Sequence, residues 1–309
     1  MTAKFQFYEY IQLGFSTIAL VTLPLYISIS YLIYSKRKTS FKTTFYKLLL
    51  VLTFCDILSC LCNVFGASFP FLFFSRQISE LGTMWGRVYL SLSWCIRASQ
   101  GFSGTLLAIN RATAIVYPII YKKIWPNNQF TYLLFCTFPG YPFLFVIWFA
   151  DIEYVKDQES DRIYPNIAND QVRNGMFGFG ALLDVISIFI IIISYFITLR
   201  AIRKLRRKTS VESTRMKNGE HSATRIAMII CVCEILYFIF LGICSSMNLP
   251  TRVFYAIFSP LTDIYSMLNC YVLIAFCPPI RNGLRKKKSV ISFDDNLTFR
   301  KITTIPAVE

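Results

Sequence analysis

Seven stretches of about 20 or more mostly apolar residues, separated by polar breaks, constrain this chain more than any other feature. They run over 10–34, 45–67, 84–109, 130–150, 176–199, 226–247 and 253–277. Each is long enough to cross a bilayer, and in lipid a helix satisfies every backbone N–H and C=O within its own segment. The expected fold is an all-α membrane protein, a seven-transmembrane helix bundle over 1–277 with a tail, 278–309, that is basic and then disordered. The first stretch is too long for a signal-peptide core and has no small-residue cleavage site before Lys36, Arg37 and Lys38, so it reads as a retained anchor. Composition agrees, with 55% hydrophobic and only 16% charged residues, a balance that soluble domains seldom show. No polar segment is long enough to bury a second core.

Charge placement gives the orientation. Of the 32 Lys and Arg, 23 lie in the connections after the first, third and fifth stretches and in the tail, and six in the N-terminal segment and the other three connections. Positive loops stay on the cytoplasmic side, which puts the N-terminus outside and the C-terminus inside. The same blocks account for the net charge of +15 without a nucleic-acid partner, since they alternate with apolar runs and form no single patch. The run 200–208, with Arg203 and Arg206, and "RNGLRKKK" after Pro279 suit the anionic inner leaflet or an acidic cytoplasmic partner.

Enzyme chemistry has no foothold. The one histidine, His221, has no ligand or triad spacing around it, and no glycine-rich phosphate loop occurs. No catalytic residue, metal or cofactor is expected. All ten cysteines fall inside the apolar stretches, so the outer face has no loop disulfide. Cys277, at the end of the seventh stretch, is a candidate for lipidation.

Ionisable residues within the spans carry more information, because each is costly in hydrocarbon and faces the bundle interior or a wet cavity. They are Asp56, Arg97, Asp184, Glu234 and Asp263. A rise of about 1.5 Å per residue puts Asp56 and Asp263 near the midplane, and Arg97 and Asp184 in the outer half. The third stretch also holds Ser99, Gln100 and Ser103 beside Gly101 and Gly104, which marks it as central. Arg97 and Asp184 are expected to pair, or to share a ligand, in an outer cavity with Trp94, Phe177 and Asp263; the alternative is an ion pair that only fixes packing. Asp56, four residues after Leu52, and Asn269, two before Tyr271, resemble the polar pair of rhodopsin-like receptors, and that resemblance implies that they meet at the midplane, around a cation or water or as a plain polar contact.

At the inner end of the third stretch stands "LAINRATAIVYPIIYKKIW", residues 107–125. Arg111 there reads either as a snorkelling anchor or as a latch whose release exposes an inner surface. With Asn110, Pro118, Tyr121 and the Ile124-Trp125 pair, and with weaker support from "LNCYVLIAF" in the seventh stretch, the chain resembles the nematode serpentine chemoreceptors of the Srg superfamily, the gamma and V classes most closely. The resemblance implies a G-protein-coupled receptor of the plasma membrane, in a sensory cilium, that takes a small environmental or pheromonal ligand and signals to a heterotrimeric G protein. Asn110, Arg111, Pro118, Tyr121 and Trp125, with Arg203 and Arg206, would then form the coupling face. Set against rhodopsin-like receptors, Asp56, Asn269 and Tyr271 match, but Asn110 replaces the acidic neighbour of the arginine and Cys270 replaces a proline. The sixth stretch also lacks a tryptophan-proline hinge. The competing class is a transporter or channel using the intramembrane charges, against which the odd span number and the missing two-halves symmetry speak.

Overall fold

The structure, a computed structural model, describes residues 7–39, 41, 43–80, 82–125, 129–156, 163–208, 214–246 and 251–284. Within them α1 (Phe7–Ser35), α2 (Thr44–Asn63), α3 (Phe69–Phe73), α4 (Ser75–Glu80), α5 (Met84–Val116), α6 (Pro118–Ile124), α7 (Gln129–Thr137), α8 (Tyr141–Phe149), α9 (Asp170–Lys208), α10 (Thr214–Ser246) and α11 (Thr251–Phe276) make seven helical passes. The expected helical membrane bundle is what forms.

Over the described residues, five passes are long and apolar enough to cross a membrane by length and composition alone. α5 is not among them, and its position explains why. It packs against α2, α7, α8, α9 and α10, so Ser91, Ser99, Gln100, Ser103, Thr105, Asn110 and Arg111 are buried among protein. The lipid-facing work falls to helices such as α9, where Phe189 and Phe196 are 65% and 66% exposed, a density of bare aromatic surface that water would not tolerate. The chain is a multi-pass membrane protein.

Three departures from seven plain helices matter for the site. The fourth pass is broken: Pro139 and Pro142 each remove a backbone donor, and a 3₁₀ turn, Phe138–Gly140, separates α7 from α8. That turn lets the backbone approach α5, where a Cβ on Gly140 would lie 2.6 Å from the Cys95 carbonyl oxygen. α2 ends in a π turn, Val64–Ser68. On an α-helix Asn63 and Ser68, five residues apart, would point about 140° away from each other; the i→i+5 turn returns them to the same seam.

The third departure is a β-hairpin among the helices. β1 (Ile152–Lys156) pairs antiparallel with β2 (Ile163–Ile167), Tyr154 opposite Pro165. It lies over the first turn of α5. The Tyr154 hydroxyl donates to the Gly82 carbonyl at 3.0 Å and accepts from the Gly86 N–H at 3.1 Å, and Arg87 Nη2 donates to the Ala150 carbonyl at 3.2 Å. Gly82 has φ +78°, which its missing Cβ permits. Burial holds the Tyr154 phenol above its usual pKa, so it stays a donor. The described cysteines are free thiols, and these hydrogen bonds tether the hairpin where a disulfide is absent.

α9 begins at the hairpin because Asn169 Oδ1 caps it, accepting from the N–H groups of Gln171 and Val172 at 2.9 and 3.2 Å. The two ends of the bundle are called below the hairpin end and the Arg111 end.

Candidate functional site

α5 is notched by Gly101 and Gly104, and two carboxylates enter from neighbouring helices. A Cβ on Gly101 would lie 3.2 Å from Glu234 Oε1 and 4.0 Å from Asp184 Oδ1, and one on Gly104 would overlap Glu234 Oε2. Only glycine leaves this room. Both Glu234 oxygens are buried without a hydrogen-bond partner.

One turn toward the hairpin end, Arg97 is enclosed by rings. Its guanidinium carbon sits 3.9 Å from the Tyr237 centroid, 4.3 Å from Tyr265 and 4.8 Å from Phe238. Nε, Nη1 and Nη2 are buried and find no acceptor. The expected direct pair with Asp184 does not form: among the described residues, neither Asp184 nor Glu234 comes within ion-pair distance of Arg97. Ring faces hold the charge instead, through their negative quadrupole. Arg97 also lines a cavity of about 10 Å³ with Ser59, Asn63 and Thr262, room for one water.

The other residues expected in one outer pocket go to different places. Trp94 stacks on Phe143 at 5.4 Å and meets Phe177 edge-on at 4.9 Å, in an apolar cluster between α5, α8 and α9. Asp263 faces the seam of α1, α2 and α11, accepting from Asn63 Nδ2 at 2.7 Å and from the Ser16 hydroxyl at 3.0 Å. Ser68, delivered by the π turn, lies 2.8 Å from Ser16 and 3.1 Å from Ser259.

Asp56 and Asn269 are brought together. Asp56 Oδ2 accepts from Asn269 Nδ2 at 2.9 Å and from the Tyr26 hydroxyl at 3.2 Å, and Oδ1 accepts from Gln100 Nε2 at 2.8 Å. Tyr26 also reaches the Ser266 carbonyl, and the Ser266 hydroxyl donates to Ser59. Four helices, α1, α2, α5 and α11, thus share one carboxylate. Asp263 belongs to a separate network: its partner Asn63 is seven residues beyond Asp56 on α2, about 10 Å along the axis.

At the Arg111 end the chain folds back on itself. The residue before a proline is pushed out of the helical region, and Tyr117, at φ −130° and ψ 63°, ends α5 before Pro118 opens α6. Asn110 Nδ2 then donates to the Tyr121 hydroxyl at 3.4 Å, and the Trp125 indole N–H donates to Thr113 Oγ1 at 2.9 Å. Trp125 packs on Tyr132 at 6.2 Å between centroids. Arg111 does not snorkel: it is 7% exposed, lies 4.1 Å over the Phe45 ring and donates from Nη2 to Asn110 Oδ1 at 3.1 Å. Arg203 is exposed on α9, Pro118 is exposed on α6, and the side chain of Arg206 lies outside the described residues. Cys277 is buried, 3.8 Å from the Tyr46 hydroxyl. Residues beyond 284, including the rest of the tail, lie outside the described residues.

The clasp makes a prediction. Trp125→Phe keeps the ring and deletes the 2.9 Å bond to Thr113, so it should cost about 1 kcal/mol. Thermal unfolding of the purified chain in lipid nanodiscs should show the same loss for Thr113→Val and no further loss in the double variant. Additive losses would mean that the two side chains do not act through this bond.

Sequence reasoning named Glu234 without a role and missed Tyr237, Phe238 and Tyr265. A signal was there. Glu234, Tyr237 and Phe238 stand at i, i+3 and i+4 on one helix face, as do Arg97, Gly101 and Gly104 at i, i+4 and i+7.

The sequence profile of the serpentine-type 7TM GPCR chemoreceptors Srv matches residues 15–290. Over 303 residues, 95% of each chain, the sequence is 26% identical to serpentine receptor class V-1 of Caenorhabditis elegans.

Proposed function

Because the chain belongs to the Srv family of serpentine seven-transmembrane chemoreceptors, we propose that it is a plasma-membrane receptor that binds a small ligand in the half of the bundle toward the hairpin and engages a heterotrimeric G protein at the Arg111 end. The hairpin end is then extracellular, which the gathering of Lys and Arg in the opposite connections and the tail supports. The observation that carries the reading is the Arg97–Glu234 cluster, a buried cation and a buried carboxylate with their hydrogen-bonding capacity unused. Intramembrane charge left unsatisfied is costly, and such groups mark function.

Coupling is assigned to Asn110, Arg111, Tyr121 and Trp125 with the exposed Pro118 and Arg203. Arg111, packed over Phe45 of α2 and bonded to Asn110, is the element whose release opens the face between α2 and α5. A change at the Arg97 cluster reaches it along α5, a single helix from Met84 to Val116, whose 14 residues from Arg97 to Arg111 span about 21 Å. No separate relay is needed.

The test is a panel of volatile and water-soluble metabolites on cells expressing the chain with a promiscuous G protein. A ligand-dependent signal is expected, weakened about tenfold or more by Arg111→Ala at equal surface density, the loss that about 1.4 kcal/mol of coupling gives. Full retention in Arg111→Ala would remove that residue from coupling. Ligand-dependent current or uptake without a G-protein signal would replace the receptor by a transporter or channel.

A further inference from the structure

Three rings from two helices face one buried cation: Tyr237 and Phe238 of α10 and Tyr265 of α11, all within 4.8 Å of the Arg97 guanidinium carbon. Among the described residues no carboxylate is within ion-pair distance of its buried Nε, Nη1 and Nη2, and its polar neighbour is the Tyr265 hydroxyl. Ring faces are most of what this position offers. Two carboxylates stand nearby across Gly101, Glu234 at 3.2 Å and Asp184 at 4.0 Å from where its Cβ would be, and neither closes on Arg97. The cluster sets two carboxyl groups beside one cation, in surroundings where a charged group is costly unless it is paired.

An aromatic cage with an acidic wall is the chemistry that recognises organic ammonium ions. Primary ammonium and quaternary ammonium groups both suit it, the first through the carboxylates and the second through the rings.

We propose that the cage of Tyr237, Phe238 and Tyr265, with Glu234 and Asp184, is a binding site for a small organic cation, and that Arg97 occupies it as a tethered substitute until the ligand takes the ring faces. The ligand's charge then lies on the ring faces of Tyr237, Phe238 and Tyr265, beside the two carboxyl groups. The inference rests on the receptor reading above and names the ligand class of that site. Because the rings belong to α10 and α11 and the arginine to α5, exchanging one cation for another changes what holds these three helices together.

The experiment uses the full-length chain in nanodiscs and measures saturation binding of radiolabelled choline, with its uncharged isostere 3,3-dimethylbutan-1-ol as competitor. Arg97→Ala vacates the cage and is expected to bind choline at least about tenfold more tightly than the unaltered chain, since a desolvated cation–π contact is worth about 2 kcal/mol. The gain should disappear in Arg97→Ala/Tyr237→Leu and in Arg97→Ala/Glu234→Gln, and the alcohol should not compete. Arg97→Met, which keeps the stem and loses the charge, replaces Arg97→Ala if the latter does not fold. A folded Arg97→Ala or Arg97→Met chain that gains no choline affinity overturns the proposal, and so does equal competition by the alcohol, which would mark an apolar void. Binding without any cellular response would keep the cation site and count against the receptor. A cellular response to other compounds without choline binding would keep the receptor and remove the site.

Discussion

Asp56→Ala is expected to leave little folded protein at the cell surface and to lower the stability of the purified chain by about 2–5 kcal/mol. The carboxylate accepts from Gln100 on α5, Asn269 on α11 and Tyr26 on α1. Alanine removes the acceptor that all three share and leaves buried donors that no water can reach, and each such donor costs about 1–3 kcal/mol. Tyr26 keeps a second acceptor in the Ser266 carbonyl and Gln100 Nε2 keeps one in the Ser266 hydroxyl, so the main loss falls on Asn269. Asp56→Asn should fall between, because its amide oxygen still serves one partner while its NH₂ meets another donor. Thermal unfolding in nanodiscs, paired with surface labelling in cells, measures both. Unchanged unfolding of Asp56→Ala would mean that this network does not hold the four helices, and Asp56 would then be free for an ion-binding role alone.

Glu234 should behave in the opposite way. Glu234→Met, close in volume and apolar, removes a carboxylate whose two oxygens are buried without partners, and is expected to stabilise the chain by about 1–3 kcal/mol. The same change should abolish the ligand response, because the cage loses the acidic group that the proposed ligand would meet. Stability rising while function falls is the signature of a residue kept for its chemistry. The notch gives a second handle: Gly104→Ala pushes a Cβ onto Glu234 Oε2 and should cost about 1–2 kcal/mol in the unaltered background. It should cost less beside Glu234→Met, whose flexible thioether can turn aside. A destabilised Glu234→Met would show that the carboxylate has a structural partner and would withdraw the argument from its unused oxygens.

The difference between these two acids was not readable along the chain. Both are lone carboxylates in apolar helices, and sequence position says only that each must face inward. Asp56 found three donors because Tyr26, Gln100 and Asn269, separated from it by 30, 44 and 213 residues, converge there. Glu234 found glycines and rings. The pairing of Asp56 with Asn269 was anticipated from the likeness to rhodopsin-like receptors, whereas Arg97 with Asp184 was anticipated by charge and the rings of α10 and α11 took the guanidinium instead. Trp94 and Phe177 do meet, but as packing between α5, α8 and α9, since an aromatic near a charge in sequence carries no direction.

What the sequence determined by itself is what depends on one segment at a time. Length and apolarity made each pass a helix, because lipid leaves the backbone no other partner. Buried polar and small residues made α5 the central helix, since only protein neighbours accept them. Pro118 ended α5 and set up the fold-back of Tyr121 and Trp125. Tertiary structure decided the rest: the π turn that aims Ser68 at Ser16, the hairpin whose Tyr154 grips Gly82 and Gly86, the inward set of Arg111 over Phe45, and the cage around Arg97. Each of these depends on side chains from different segments meeting at a few ångströms. That distance is fixed by how helices tilt and rotate against one another, and hydropathy along a single helix is the same for every rotation about its axis.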